Sequence, residues 1–250
     1  MGSAANALID RLPQRESWMS GRSKCDQCKH ELGAADLIPV VSYIALGGRC
    51  RYCRKPIPYR NLVVEIFLGT FFVLIFNLQF SIFNQFLIFN VIILQTMAWV
   101  STVIAVMDWE TKLVSEAMVI LWGVLIFAHK FSIFNFQFSI NLLISQLQTD
   151  FLGVLVGVVT IGGIWAVTKG KAMGFGDVEI AAVMGLWLGW PKVLVALWTA
   201  FVVGGVVGAA KILQRKAKMK SQIAFGPFLI IGTWVAYAWG DMIIQWLFPY

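Results

Sequence analysis

The chain has 250 residues, of which 59% are hydrophobic and 13% are charged. Soluble domains are about 45–50% apolar and about 25% charged, so these values exclude an ordinary soluble protein and indicate a membrane protein. The formal net charge of +7 fits either nucleic-acid binding or the basic cytoplasmic loops of a membrane protein. Ten of the twenty Lys and Arg residues lie within residues 1–60 and most others in short segments between apolar runs. We therefore expect a lipid bilayer, and not nucleic acid, as partner.

The chain is predicted to be an all-α polytopic membrane protein with a small cytoplasmic zinc-ribbon-like domain. Residues 1–60 are polar and contain all four cysteines. They predict a cytoplasmic region with a four-cysteine zinc-binding domain at about 20–60. Residues 61–250 form the transmembrane domain, with about seven helices. These helices are predicted at 61–78, 85–107, 115–129, 150–168, 178–190, 192–213 and 223–248.

Two Cys-x-x-Cys pairs, Cys25-Asp-Gln-Cys28 and Cys50-Arg-Tyr-Cys53, are separated by 21 residues. Each pair offers two sulfurs from one tight turn, and four thiolates satisfy the tetrahedral coordination of structural zinc. The spacing lies just beyond the usual zinc-ribbon range. The alternatives are two disulfides or free thiols, and a cytoplasmic location disfavours disulfides. We predict a fully ligated, non-catalytic zinc site with His30 as a bystander.

The basic residues predict how the chain crosses the membrane. If residues 1–60 are cytoplasmic, seven crossings leave only Lys130 and Lys192 in the outside segments. The opposite orientation would violate the positive-inside rule. The inside segments are then 108–114, 169–177 and 214–222.

The string Phe-Ser-Ile-Phe-Asn occurs at residues 80–84 and again at 131–135. Both copies fall in predicted outside loops. One interpretation is a paired patch that inserts aromatic rings into the lipid headgroup region. The pattern favours the other interpretation, a low-complexity insertion without a role.

Two aspartates lie at the ends of predicted spans. Asp108 ends the second span, and Asp177 begins the fifth after Met173-Gly-Phe-Gly. The topology, which rests on Lys and Arg alone, places both on the cytoplasmic side. Two carboxylates that share a site titrate as a unit, so one can activate water while the other protonates the peptide. Gly174 and Gly176 would allow a tight approach. The alternative is that each aspartate merely sits at a span end, Asp177 as a helix cap.

Glu65 lies inside the first predicted span and requires a partner, either a basic residue or a group on another helix. A role for Glu65 in substrate binding is a further hypothesis. Glu110 and Glu179 flank the aspartates and are interpreted as solvated or ion-paired. Ser/His/Asp triads, phosphate-binding glycine loops and His-Glu-x-x-His motifs cannot be recognised in the sequence.

Taken together, these residues resemble the type IV prepilin peptidases, which are membrane aspartic peptidases. The resemblance covers nearly the whole chain, from Gly2-Ser3 through the cysteine pairs, Glu65 and Asp108 to Ala224-Phe-Gly-Pro-Phe228. It implies that Asp108 and Asp177 form the catalytic pair, and that residues 61–250 are an aspartic peptidase domain. The remaining matching motifs are Asn6, Arg11-Leu-Pro13, Asp36-Leu-Ile-Pro39, Arg49-Cys-Arg51, Leu62-Val-Val-Glu65 and Gly174-Phe-Gly-Asp177.

The resemblance further implies substrates and location. Prepilins or pseudopilins would be cut after a short basic leader ending in glycine, at the cytoplasmic face of the inner membrane. Many relatives with the cysteine domain also methylate the new N-terminal residue with S-adenosylmethionine. Because no separate methyltransferase motif is recognisable in this sequence, that cofactor rests on the resemblance alone.

Three features depart from the family pattern. The chain starts where the family's first helix should have ended, so one N-terminal helix is expected to be missing. Ser115 stands where proline is common, and Glu179 where lysine is common. Two other functions remain open. One is a presenilin-like intramembrane protease, against which the cysteine domain argues, and the other is a non-enzymatic membrane adaptor with a zinc ribbon.

Overall fold

The computed structural model describes residues 2–13, 23–25, 27–80, 85–134, 140–214 and 224–247. Within these ranges the structure is helical apart from turns and two isolated β-bridges. The chain separates into two compact units, Met1–Val103 and Ile104–Tyr250. The α-helices are α1 (Gly2–Arg11), α2 (Val41–Ala45), α3 (Tyr59–Phe80), α4 (Gln85–Thr111), α5 (Glu116–Phe134), α6 (Ile140–Gly157), α7 (Gly163–Thr168), α8 (Phe175–Leu188), α9 (Lys192–Leu213) and α10 (Gly226–Leu247).

Five helical stretches are long and apolar enough to cross a membrane. This finding, with the all-helical architecture, confirms the prediction of a polytopic helical fold. Helices α5 and α8, which the sequence analysis counts as further crossings, are not among the five, so the number seven stays a prediction. The five stretches are Tyr59–Asn77, Phe89–Thr111, Leu143–Thr168, Lys192–Leu213 and Gly226–Leu247.

Helix α6 begins ten residues earlier than its predicted start at 150. The prediction stopped there because polar residues precede the apolar run. In the structure these residues pair with each other and with α5, since the Asp150 carboxylate accepts hydrogen bonds from both Lys130 and Gln146. A π-helical turn at Val158–Gly162 then joins α6 to α7. Paired polar groups therefore lengthen a helix that hydropathy alone had shortened.

Helix α1 packs against α3 within the first unit. Ala5, Leu8 and Ile9 form its buried face. At the start of α1 the backbone lies so close to α3 that a Cβ on Gly2 would be 2.9 Å from Glu65 Cα. The segment 1–13, predicted simply as polar, therefore includes an amphipathic helix anchored on the first membrane-capable helix.

Helices α6 and α8 of the second unit touch through glycine. A Cβ on Gly153 would lie 2.4 Å from the carbonyl oxygen of Gly185, and one on Gly185 would lie 2.3 Å from the carbonyl oxygen of Gly153. A turn further along α6, a Cβ on Gly157 would lie 2.5 Å from the carbonyl oxygen of Ala181. Small residues four apart allow the backbones of two membrane helices to approach closely. This contact fixes α8, and with it Asp177, against α6.

The repeated aromatic string lies only partly in the described chain. The expectation that both copies occupy loops is wrong for residues 131–134, which form the end of α5, and for Phe80, which ends α3. Residues 81–84 and 135 lie outside the described residues. The basic stretch at 215–220, on which the predicted topology relies, also lies outside them.

Candidate active site and metal centre

The two cysteine pairs adopt the same local structure. In the first, the Cys25 N–H donates to the His30 carbonyl and the Lys29 N–H to the Cys25 carbonyl. In the second, Cys50, Arg54 and Lys55 make the equivalent two bonds. The residue after each pair has positive φ, at 57° for both Lys29 and Arg54. Each Cys-x-x-Cys is therefore a tight turn that presents two sulfurs to one side.

The four sulfurs converge on one point. All four Sγ atoms lie within 4.8 Å of one another, and Cys25 Sγ is 3.9 Å from Cys53 Sγ. A tetrahedral zinc ion with Zn–S bonds of about 2.3 Å separates its sulfurs by about 3.8 Å, whereas a disulfide would need about 2.05 Å. The cluster thus fits zinc and not a Cys25–Cys53 disulfide. His30 is not part of it, and its ring lies 3.7 Å from that of Tyr52.

An ion pair ties the segment after the first cysteine pair to the second pair. Arg51 Nε donates to Asp36 Oδ1 at 2.7 Å, and the Gly33 N–H donates to Asp36 Oδ2 at 3.2 Å. The hydrogen bond from Arg51, together with that from Gly33, holds the pKa of Asp36 below its usual range. The two motif residues Asp36 and Arg51, distant in sequence, therefore act as one brace beside the metal cluster.

Asp177 is held at the start of α8. It occupies the third position of this helix, and its Oδ2 accepts the Gly174 N–H at 3.0 Å. This arrangement satisfies a backbone donor that the helix leaves unpaired. The side chain is 5% exposed, and its Oδ1 is buried without a hydrogen-bond partner among the described residues. One carboxylate oxygen is thus anchored while the other remains available.

Asp108 is held at the start of another helix. Its Oδ2 accepts the N–H of Gly226, the first residue of α10, at 3.0 Å, and its side chain is also 5% exposed. Asp108 lies within α4, one turn before Thr111, and does not end the helix as expected. The helix ends at Thr111, and the next residue, Lys112, has a positive φ of 56° that turns the chain out of the helical direction. The loop 112–115 then leads to α5, which begins at Glu116.

The two carboxylates lie near each other although 69 positions separate them in sequence. They are close enough to interact electrostatically, and Asp177 also lies within reach of the Gly226 N–H that binds Asp108. Both therefore face the positive N-terminal end of a helix, α8 or α10, which favours negative charge in apolar surroundings. A pair of buried acids placed in this way can share one proton.

The two glycines of Gly174-Phe-Gly-Asp177 differ in their roles. Gly176 has almost no space, since a Cβ there would lie 2.6 Å from Val114 Cβ. Gly174 has φ −76°, an ordinary extended conformation, and its nearest atom, Asp177 Oδ2, would be 3.9 Å from an added Cβ. The close approach that the sequence suggested is therefore seen at Gly176, whereas Gly174 contributes its N–H.

The structure places Glu65 in the first unit, within hydrogen-bond distance of the backbone at the start of α2. Its Oε2 accepts the backbone N–H of Val40 at 2.8 Å. Val40 has φ 63°, so this bond holds an uncommon backbone conformation at the start of α2. Glu65 therefore braces the cysteine segment, here defined as residues 23–58, on α3.

Gly226 is the site residue whose role sequence reasoning missed. The motif Ala224-Phe-Gly-Pro-Phe228 had been noted only as a similarity. Glycine followed by proline is a signal for the beginning of a helix, and it could have located a free N–H there. A Cβ on Gly226 would lie 2.7 Å from Asp108 Oδ2, so only glycine allows this aspartate to approach.

Glu179 and Trp109 follow the two aspartates. Glu179 is half-buried and near enough to Glu116 for their like charges to repel. Its interpretation as solvated or ion-paired stays a prediction. The Trp109 ring lies 3.9 Å from Lys211 Nζ, in a cation–π contact.

Comparisons with known proteins agree with this geometry. The family model described as the bacterial peptidase A24 N-terminal domain matches residues 1–79. The model described as the type IV leader peptidase family matches residues 95–209, a range that contains both Asp108 and Asp177. No solved structure matches the chain.

Curated relatives match over almost the full length. A prepilin leader peptidase/N-methyltransferase of Aeromonas hydrophila is 30% identical, over 98% of this chain and 89% of the relative. A protein with the same description from Pseudomonas aeruginosa is 28% identical over the same shares of the two chains. With both family models and relatives of this extent in agreement, the chain belongs to the type IV leader peptidase family.

Proposed function

We propose that the protein is a membrane aspartic endopeptidase that removes the leader of prepilins or pseudopilins. The observation that carries this proposal is the convergence of Asp108 and Asp177, two buried carboxylates, on the N-termini of two helices. Its support from relatives is the description prepilin leader peptidase/N-methyltransferase. No observation on the described residues favours a presenilin-like intramembrane protease or a non-enzymatic membrane adaptor.

The pair catalyses hydrolysis by moving protons. The ionised carboxylate takes a proton from water as the water oxygen attacks the peptide carbonyl carbon, and the protonated one donates to the carbonyl oxygen. When the intermediate collapses, the C–N bond breaks and the leaving amine receives a proton. The N–H groups of Gly174 and Gly226 keep the two carboxylates in place throughout. The protein thus needs no metal ion at this site for the reaction.

Replacing each aspartate by asparagine tests the assignment. Asp108→Asn and Asp177→Asn keep shape and polarity but remove the shared proton, so each should lower cleavage of a prepilin-like precursor by at least about 100-fold. The double variant should be no worse than either single variant, because residues that act as a unit are not additive. The measurement is conversion of precursor to mature product by the purified chain in detergent.

Glu179→Gln provides the matched control. It removes a carboxylate two residues from Asp177 and should retain substantial activity. If the Asp177→Asn variant cleaved efficiently, the dyad would be disproved. If Glu179→Gln were as inactive as the aspartate variants, the site would need negative charge in general and not a specific pair.

We infer that the four cysteines hold one structural zinc ion. Their mutual distances suit tetrahedral thiolate ligation, and four protein ligands leave no open position for water. The zinc would stabilise the two turns of the cysteine segment, which has few buried apolar side chains of its own. It has no part in cleavage.

The orientation follows from charge. We propose that the protein lies in the inner membrane, with the cysteine segment and the dyad on the cytoplasmic side. The two lysines predicted to be outside are each paired with an aspartate, Lys130 with Asp150 and Lys192 with Asp241 at 2.7 Å.

Methylation of the new N-terminus is the second activity that the relatives' description suggests. We propose S-adenosylmethionine as the methyl donor. When bound, it supplies a methyl group to the lone pair of the amine. The amine nitrogen would take the methyl group from sulfur, which would keep the electrons of the C–S bond, and the amine would release a proton to solvent.

A further inference from the structure

The cysteine segment exposes an apolar surface around α2. Residues 37–48 of this segment contain no charged side chain. Val41 and Ile44, one turn apart on α2, are 60% and 68% exposed, and Ile38 just before them is 48% exposed. The Ser42 N–H donates to the Ile38 carbonyl at 3.1 Å, which holds Ile38 within one turn of α2. These three side chains, Ile38, Val41 and Ile44, are called the apolar patch.

A hydrogen bond fixes the apolar patch beside a helix that can cross a membrane. The Val40 N–H, next to Val41 of the patch, donates to Glu65 Oε2 at 2.8 Å. The membrane-capable stretch of α3 begins at Tyr59, and a rise of 1.5 Å per residue places Glu65 about 9 Å further along the helix. Helices that lie in a membrane surface bury their apolar face by about 5–10 Å at the boundary between headgroups and acyl chains. The start of α2 therefore lies at the level of that boundary.

The same end of α3 exposes apolar side chains of its own. Val63, Ile66 and Phe67 are exposed, and on a membrane-capable helix such side chains contact lipid. The apolar patch extends this lipid-facing surface onto the cysteine segment. Arg49 and Arg54 follow the patch in sequence and are exposed. Elements that bind a membrane surface combine apolar side chains with basic ones, because the basic side chains bind lipid phosphate groups.

We propose that the apolar patch inserts into the surface of the phospholipid bilayer at the end of the membrane where α3 begins. Three side chains are few for a stable protein interface, which buries at least about 1,000 Å², but they suffice for an insertion at a place that α3 already fixes. The cysteine segment is then attached to the membrane at two points, through Glu65 on α3 and through the patch in lipid. This attachment holds the zinc-binding turns at the membrane surface, and it is a role beyond peptide cleavage.

The experiment places the photoreactive amino acid p-benzoylphenylalanine at single positions of the full chain. Val41 and Ile44 report on the apolar patch. The matched control is Glu31, an exposed residue of the same segment whose carboxylate lies 3.8 Å from Lys24 Nζ at the surface. Phe67 on α3 is the positive control for lipid contact. Each chain is reconstituted in nanodiscs of phosphatidylethanolamine and phosphatidylglycerol, irradiated and analysed by mass spectrometry, and a single symmetric elution peak verifies that it is folded.

The expected result is a lipid adduct at Val41 and at Ile44 with a yield similar to that at Phe67 and at least about tenfold above that at Glu31. Adding Ile44→Asp to the chain with the probe at Val41 should lower its lipid yield at least about fivefold, because a carboxylate resists transfer out of water. Equal lipid yields at Ile44 and Glu31 would overturn the inference, as would an unchanged yield at Val41 in the Ile44→Asp chain. Adducts that join the patch to another part of the chain, to a second copy or to an added precursor, in place of lipid, would assign it to a protein interface and also overturn the inference.

Failure of this inference can be distinguished from failure of the proposed peptidase. The lipid adducts are measured without substrate, and the same preparations are assayed separately for precursor cleavage. A chain that cleaves the precursor but forms no lipid adduct at the apolar patch would reject the membrane contact and leave the peptidase intact. Asp177→Asn, which should not cleave, should give the same lipid yield at Ile44 as the chain with both aspartates, because Asp177 lies in the second unit and the patch in the first.

Discussion

Adding a single methyl group at Gly226 tests whether the backbone N–H of α10 positions Asp108. In Gly226→Ala the new Cβ would lie 2.7 Å from Asp108 Oδ2 and 3.1 Å from Ile180 Cδ1. Ordinary contact begins at 3.4 Å, so the carboxylate must move by about 0.7 Å. That movement stretches or breaks its 3.0 Å hydrogen bond from the Gly226 N–H.

The size of the effect follows from two independent arguments. A hydrogen bond to a charged group contributes about 1.5–3 kcal/mol, which corresponds to a factor of about 10 to 150 in rate if the bond is lost in the transition state. Misplacing a reacting group by about 1 Å costs about 100-fold. We therefore expect Gly226→Ala to lower kcat for precursor cleavage by about 10- to 100-fold, with a smaller change in KM.

The control for Gly226→Ala is Gly205→Ala in α9. A Cβ on Gly205 would have no atom within 4 Å, and alanine favours a helix by up to about 1 kcal/mol over glycine. This control should keep full activity and equal or better stability. A Gly226→Ala chain with kcat within twofold of the unaltered chain would show that the Gly226 N–H does not position the catalytic carboxylate.

Three further predictions concern the metal cluster, its brace and the packing of α8. Replacing Cys50 and Cys53 together by serine should remove more than half of about one zinc ion per chain in metal analysis, and full retention of the metal would contradict the assignment. Asp36→Asn should weaken the cysteine segment at neutral pH, measured as faster zinc transfer to a chelator. Arg51 holds the pKa of Asp36 in the folded chain below its usual range. The ion pair therefore stabilises the cysteine segment above the unfolded-state pKa of about 3.9, and this stabilisation is lost as the pH falls through the folded-state pKa. An effect of Asp36→Asn that is independent of pH would contradict the ion pair. In Gly185→Ala the new Cβ would lie 2.3 Å from a backbone oxygen, so the variant should lower the stability of the second unit by about 1–3 kcal/mol. The measurement is the SDS concentration at which the chain denatures, which should fall. An unchanged SDS concentration would show that α6 and α8 are not in close contact.

The sequence predicted those parts of the site that side chains define. The spacing of the four cysteines indicates a metal site, and in the structure their sulfurs lie close together. Asp108 and Asp177 stand out because an acid in an apolar run is costly. The partners of the acids could not be predicted in the same way. Glu65 was expected to pair with a basic residue or a group on another helix, and it accepts the backbone N–H of Val40. A backbone N–H cannot be recognised from composition or spacing.

Helix boundaries show the same limit. The start of α6 was missed because Asp150 and Gln146 look unsuited to a membrane helix until Lys130 is placed beside them by tertiary structure. The glycine contact between α6 and α8 was also missed. Glycines four residues apart at Gly153 and Gly157 could have indicated it, since such spacing is typical of close helix pairs. Hydropathy reports burial in lipid, but it does not report which helices touch.

The position of the dyad follows from how a membrane helix uses its backbone. Inside a helix every N–H is already bonded to a carbonyl, so an acid buried there finds no donor without a second polar side chain. The first turn of a helix is the exception, because its N–H groups have no partner within the helix. Asp177 uses the first turn of its own helix and Asp108 that of α10. Two acids can therefore be kept out of water with backbone donors alone, and each keeps capacity for a proton. The same reasoning explains why glycine supplies the N–H at residue 226. Any larger residue at Gly226 would occupy the space that the Asp108 carboxylate needs, so the residue that provides the hydrogen bond must also be the one that leaves room for it.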